Sequence, residues 1–138
     1  MNRLATITAA LLLLAPPVFA QAGQEQKPDK KNLVVKEWNT DARSNRQVLD
    51  HKTIFNAEGR KIEETEYSSS GQKWRKRFEY GTNGKVCKEN LYDAKNRLVS
   101  VKKTEYDEFQ RKKVQYTYNA KGKLVMTKNF EYIAQDTE

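Results

Sequence analysis

The sequence predicts an all-β protein, an antiparallel up-and-down meander of about eight strands built from hairpin repeats and curled into a half-barrel or barrel-like sheet. Three observations carry this expectation. First, an aromatic residue followed by a short polar turn occurs six times. The copies are Phe55-Asn-Ala-Glu-Gly-Arg60, Tyr67-Ser-Ser-Ser-Gly-Gln72, Tyr80-Gly-Thr-Asn-Gly-Lys85, Tyr92-Asp-Ala-Lys-Asn-Arg97, Tyr106-Asp-Glu-Phe-Gln-Arg111 and Tyr118-Asn-Ala-Lys-Gly-Lys123. Second, the leading aromatics lie 12, 13, 12, 14 and 12 residues apart, and Tyr132 closes a last interval of 14. Each interval leaves room for one strand between turns. Third, the segments between turns alternate in polarity and are rich in Val, Tyr, Thr, Phe and Trp, with no sustained helical apolar period.

Taken in order, residues 1–20 read as a signal peptide. Arg3 supplies the charged start, the leucine-rich run from Ala9 to Ala15 the apolar stretch, and Val18-Phe19-Ala20 a small-residue cleavage site. A cut after Ala22 is the alternative. No Cys sits near either point, which argues against a lipid anchor, and no second apolar run follows. Residues 21–32 are polar and aperiodic and read as a flexible leader. Residues 33–134 form the β-hairpin repeat domain. Removing residues 1–20 takes only Arg3 from a formal net charge of +8, so the exported chain stays basic. Its excess charge favours anionic partners.

Leu33 to Trp38 and Arg46 to Phe55 make the first two strands, joined through Asn39–Asn45. The later turns resemble type I turns followed by a residue at positive φ, the common bulged hairpin connection. Gly59, Gly84, Gly122 and Asn96 suit that position, and Gln110 suits it least. This turn type places Tyr80 opposite Val86, Tyr92 opposite Leu98, Tyr106 opposite Lys112 and Tyr118 opposite Leu124.

Even spacings from Tyr80 onward then predict one aromatic face, holding Trp74, Phe78, Tyr80, Val86, Tyr92, Leu98, Tyr106, Val114, Tyr116, Tyr118, Leu124, Met126, Phe130 and Tyr132. The odd step from Tyr67 to Tyr80 predicts a bulge around Ser68–Gly71. On this register Arg77 faces Glu89 and Glu105 faces Lys113, favourable pairs. So aromatic a face must be covered, by curling, by folding into a sandwich or by dimerisation; curling is the expectation.

The motif Tyr-Asp-x-x-Asn-Arg-Leu at Tyr92–Leu98, with its variants at Tyr106–Arg111 and Tyr118–Leu124, resembles the tyrosine-aspartate repeats of RHS-type proteins. It is also similar to small exported bacterial domains built from such hairpins. The resemblance covers roughly residues 55–132, and Ser68 and Gly81 depart from the Asp/Asn position. It implies hairpin architecture and bacterial export. It brings no catalytic residues.

Chemistry-bearing constellations are scarce in the sequence. His51 is the sole histidine and Cys87 the sole cysteine, so no internal disulfide forms and a Cys–His dyad would require barrel closure. Cys87 reads as a half-buried small hydrophobe. No catalytic, cofactor-binding or metal-binding set is predicted. Trp74-Arg75-Lys76-Arg77 is the densest basic run, but in a strand Trp74 and Lys76 point one way and the arginines the other. That split argues against a nucleic-acid stripe.

The predicted register also yields the row Phe78–Lys88–Lys102–Tyr116–Met126, with two lysines opposite each other. Either they run along the aromatics to solvent, or Phe78, Lys88, Lys102 and Tyr116 form a shallow ligand-binding site for an anionic group. The functional expectation is an exported, periplasmic or secreted, non-catalytic binding module. Its partner would be an anionic glycan or an envelope protein. The alternative is a structural protein that self-associates, for example as a homodimer.

Overall fold

The structure, a computed structural model, describes residues 27–135. The signal peptide expected over 1–20 and the leader as far as residue 26 lie outside the described residues. Eight strands follow one another: β1 (Val34–Thr40), β2 (Gln47–Phe55), β3 (Lys61–Ser68), β4 (Gly71–Tyr80), β5 (Val86–Tyr92), β6 (Leu98–Tyr106), β7 (Lys112–Asn119) and β8 (Leu124–Asn129). They form one antiparallel sheet in the order β1-β2-β3-β4-β5-β6-β7-β8. Among the described residues, strands pack only on their neighbours in sequence. The meander is therefore open, with β1 and β8 as its two edges, and among the described residues no second layer lies on either face. Among those residues no helix is long and apolar enough to cross a membrane.

The turns form as the sequence directs. In the five-residue turns starting at Asn56, Gly81, Asp93, Asp107 and Asn119, the first N–H donates to the fifth carbonyl and the fourth N–H to the first carbonyl. The fourth residue takes positive φ: 75° at Gly59 and Gly84, 62° at Asn96, 63° at Gln110 and 82° at Gly122. The Asn and Asp side chains at the first position accept from the third and fifth N–H groups, as Asp93 does from Lys95 and Arg97. Gly81 has no such side chain, and Asn83 Oδ1 accepts the Lys85 N–H instead.

The end of the expected leader is built into this framework. The Asn32 N–H donates to the Asn56 carbonyl, and the Phe55 N–H to the Leu33 carbonyl.

The pairs beside the turns are those expected: Tyr80 faces Val86, Tyr92 faces Leu98, Tyr106 faces Lys112 and Tyr118 faces Leu124. One step further in, the register differs from the expectation. Leu91 pairs with Ser100 rather than with Val99, so Val99 is an extra residue, and the same slip recurs in every hairpin from β2–β3 to β7–β8. The extra residues are Ile62, Lys73, Cys87, Val99, Lys113 and Val125.

Each bulge displaces the remaining rows by one residue and reverses the face on which the next aromatic emerges. The single aromatic face is thus corrected: Tyr67, Tyr92 and Tyr118 lie on face A, and Phe55, Tyr80 and Tyr106 on face B. The bulge near Ser68–Gly71 exists at Lys73, but it is one of six at the same offset, and a seventh leaves Asp50 unpaired between β1 and β2. The odd spacing has another cause, a shorter turn in which Ser68 pairs with Gly71 and Tyr67 with Gln72.

The expected charge pairs move as well. Arg77 faces Asn90 and Glu105 faces Val114. Glu63 receives Arg75 at 3.5 Å and Arg77 at 3.8 Å, and Lys76 reaches Glu89 diagonally at 3.5 Å.

Because large side chains are shared between two faces, neither builds a core. Among the described residues only Val114 and Thr65 are buried, both in the interior of the sheet. Most others are half-covered by cross-strand neighbours.

The strained position in the turns yields a test. Gln110→Gly should relieve the left-handed strain and stabilise the protein by about 0.5–1 kcal/mol, read as a higher midpoint in urea denaturation. A lower midpoint would show that the Gln110 side chain contributes more than its backbone strain costs.

Candidate functional site

Turns alternate between the two ends of the sheet, so every second turn shares an end. At one end, the turns after β2, β4 and β6 lie side by side with the chain entering β1. Here four exposed cations sit on four rings of face B. Lys30 Nζ is 5.4 Å from the centre of Phe55, Arg60 Cζ 5.5 Å from Tyr80, Lys85 Nζ 5.9 Å from Tyr106 and Arg111 Cζ 4.3 Å from Tyr132. In each case the cation enters one strand and the ring leaves the next.

The tyrosines are fixed by their hydroxyls. Tyr80 donates to the Lys61 carbonyl at 2.7 Å, Tyr106 to the Val86 carbonyl at 2.6 Å and Tyr132 to the Lys112 carbonyl at 2.7 Å. Each acceptor belongs to the residue immediately after the stacked turn cation. Tyr80 thus touches β3 through its hydroxyl and faces Val86 on β5, so one side chain ties three strands. Burial pushes the Tyr106 phenol above its usual pKa, with the Cys87 thiol adding to the effect, which keeps the hydroxyl a donor.

Successive rungs are separated by two strand spacings, roughly 10 Å. Between the third and fourth rungs lies a shallow hollow of about 560 Å³ whose lining includes Lys85, Tyr106, Gln110, Arg111, Lys112 and Tyr132.

Of the acids at this end, Asp107 is tied to its turn. Asp107 accepts from the Arg111 guanidinium at 2.8 Å. Burial alone would raise its pKa, but hydrogen bonds from Arg111 and the guanidinium charge outweigh this and hold it below the usual carboxylate value. Glu58 and Glu108 are exposed in their turns.

The opposite end is built differently. The turn cation Arg97 is held by Asp93 at 2.8 Å, and the ring-stacking cations come from strands: Arg75 over Tyr92 at 4.5 Å and Lys103 over Tyr118 at 5.4 Å. No hydroxyl bond of Tyr92 or Tyr118 to protein is formed among the described residues.

The four residues expected as a ligand site do not form one row. Phe78 and Lys102 share face B, separated by Glu89, while Lys88 and Tyr116 share face A, separated by Lys103. The register slips at Cys87, Val99 and Lys113 cause the split, each parting one neighbouring pair of the expected row. Lys88 is engaged by Glu79 at 3.4 Å. Two lysines do face each other, but they are Lys88 and Lys103.

His51 Nε2 contacts Glu64 at 3.1 Å and its ring packs edge-on to Trp74. Cys87 Sγ–H points to the Glu79 carbonyl at 3.5 Å. The open sheet keeps His51 on β2 and Cys87 on β5 apart. Among the described residues no three His, Cys, Asp or Glu side chains converge as metal ligands. Except for Lys30, which the sequence places in the leader, the rung residues were visible in the sequence as aromatic and basic ends of the repeat. Their stacking was not, because it joins one repeat's cation to a later repeat's ring.

No family model matches the chain, and no curated protein matches it. Among solved structures, one described as "Crystal structure of GtfA/B complex bound to UDP and GlcNAc" is 14% identical over 68% of this chain, with a TM-score of 0.32. The match spans 19% of that chain. A likeness this weak supports no inference about fold or function.

The hydroxyl bonds separate the two tyrosine sets. Tyr80→Phe, Tyr106→Phe and Tyr132→Phe should each cost about 0.5–1.5 kcal/mol, the net worth of one hydrogen bond. Tyr92→Phe and Tyr118→Phe should cost close to nothing. Chemical denaturation of the five variants checks this, and equal losses in both sets would refute the tie through the carbonyls.

Proposed function

We propose that the protein is a non-catalytic binding module, exported to the bacterial envelope, that recognises an anionic polymer through the cation–aromatic ladder at one end of face B. The observation that carries this reading is the ladder itself: Lys30, Arg60, Lys85 and Arg111 are exposed yet held on rings at a regular interval. A cation fixed on a ring loses less freedom on binding than a free surface lysine does. An open row of such groups fits an extended ligand better than a small enclosed one. Bacterial export rests on the signal-like residues 1–20 and on the resemblance to tyrosine-aspartate repeats.

The test is elution from heparin resin in a salt gradient. The variant Arg60→Gln/Lys85→Gln/Arg111→Gln should bind about tenfold more weakly, three exposed charge contacts being lost. A control with the same charge loss at the opposite end, Lys95→Gln/Lys121→Gln/Lys123→Gln, should elute close to the parent protein. Equal shifts in both would mean that net charge, not the ladder, holds the polymer.

A second reading, structural self-association, is favoured by the edge strand β8. Leu124, Val125 and Met126 are all exposed on it, and an unpaired apolar edge is a template for another strand. Sedimentation velocity across a concentration range should then show assemblies that Val125→Lys dissolves. A monomer at every concentration removes this reading.

A further inference from the structure

Resting on the ladder as a binding surface, the geometry points to a narrower ligand class: we infer that it takes a linear acidic polysaccharide carrying one carboxylate or sulfate per disaccharide, lying across the strands. The ladder is a ruler as well as a charge. Its cations recur every second strand, so the repeat is two strand spacings, roughly 10 Å. A chain with one acidic sugar in two presents its charge at much the same interval, because each extended disaccharide covers about two strand spacings. A chain charged on every sugar offers twice as many anions as there are rungs.

The ground between rungs also offers contacts to a sugar. The hollow between the Lys85–Tyr106 and Arg111–Tyr132 rungs holds about 560 Å³ and is lined by Gln110, Lys112 and Tyr132 beside Lys85 and Arg111. Tyr132 is 47% exposed, so part of its ring is free to contact a sugar face. Arg60 Nη2 lies 3.6 Å from where a Cβ on Gly84 would stand, so this guanidinium extends toward the next turn at the same end, and the Lys30 backbone and Cβ stand equally close to Gly59. The turns at this end are thus adjacent, in a row at right angles to the strands.

Four rungs set a length. Binding of hyaluronan oligosaccharides, which carry one glucuronate per disaccharide, should tighten with each added disaccharide up to four and level off beyond. Polygalacturonate of the same sugar number, with twice the carboxylates, should bind no more tightly. Isothermal titration of the unmodified protein with the length series, polygalacturonate and inorganic polyphosphate measures this without a variant. Arg60→Gln should then remove about one disaccharide's worth of the gain.

If affinity instead follows charge density, with polyphosphate and polygalacturonate binding most tightly, the spacing inference is overturned while the broader polyanion reading stands. If none of these polymers binds and heparin resin does not retain the protein, both are overturned.

Discussion

An unpaired residue one step beyond each hairpin turn from β2–β3 onward organises this molecule. With the side-chain period fixed at two, an extra residue in the second strand of a hairpin sends the next aromatic to the opposite face. Turns also alternate between ends. The two alternations coincide, so every leading aromatic of the repeat at one end lies on face B and every one at the other on face A. Phe55, Tyr80 and Tyr106 therefore stand in one row, and Tyr67, Tyr92 and Tyr118 in another on the reverse side. Without the bulges, all would share one face, and that face would demand a cover. With them, neither face holds enough apolar surface to require a second layer, and the sheet stays open.

A sheet without an interior must be held laterally. With Val114 and Thr65 the only buried side chains among the described residues, burial of whole residues contributes little, and cross-strand contacts carry the load. Their individual worth is small: cation–aromatic pairs at exposed sites contribute about 0.5–1 kcal/mol, and exposed ion pairs less. Repetition and local connectivity compensate. Every strand pairs with its sequence neighbour, so the loops closed on folding are short and their entropic cost is low. The tyrosine hydroxyls add reach, because Tyr106 binds the Val86 carbonyl while facing Lys112, coupling β5, β6 and β7.

Strand number, turn positions and the pair beside each turn were legible because local chemistry sets them: Asn or Asp accepting two N–H groups, then Gly or Asn at positive φ. The bulges were not, because counting alternation assumes that every residue has a partner opposite. A trace of them does exist in the chain. Leu98-Val99, Val86-Cys87, Lys112-Lys113 and Leu124-Val125 are like-with-like doublets at the same offset from their turns, where strict alternation would place unlike residues. That offset error of one residue was enough to dissolve the Phe78–Lys88–Lys102–Tyr116 row, since Lys88 and Lys102 belong to opposite faces. The ladder escaped for a different reason. Arg60 and Tyr80 are 20 residues apart and meet only when β3 and β4 are laid side by side.

The two ends of the sheet use the same repeat and differ in what the turn cation does. At the Tyr92 and Tyr118 end, Arg97 closes on its own Asp93, and the backbone and side-chain hydrogen bonds from Arg97 hold that carboxylate below its usual pKa. Its charge is spent within the turn. At the other end Asn56 and Gly81 occupy the Asp position, so Arg60 and Lys85 have no carboxylate in that place and lie across the rings instead. Arg111 does both, bridging Asp107 and covering Tyr132. The first turn residue therefore decides whether a carboxylate is at hand for the turn cation, and the ring decides whether that cation is also held over an aromatic: Arg97 has only the carboxylate, Arg60 and Lys85 only the ring, and Arg111 both. One backbone repeat thus carries different cation environments through single side-chain changes at the turn.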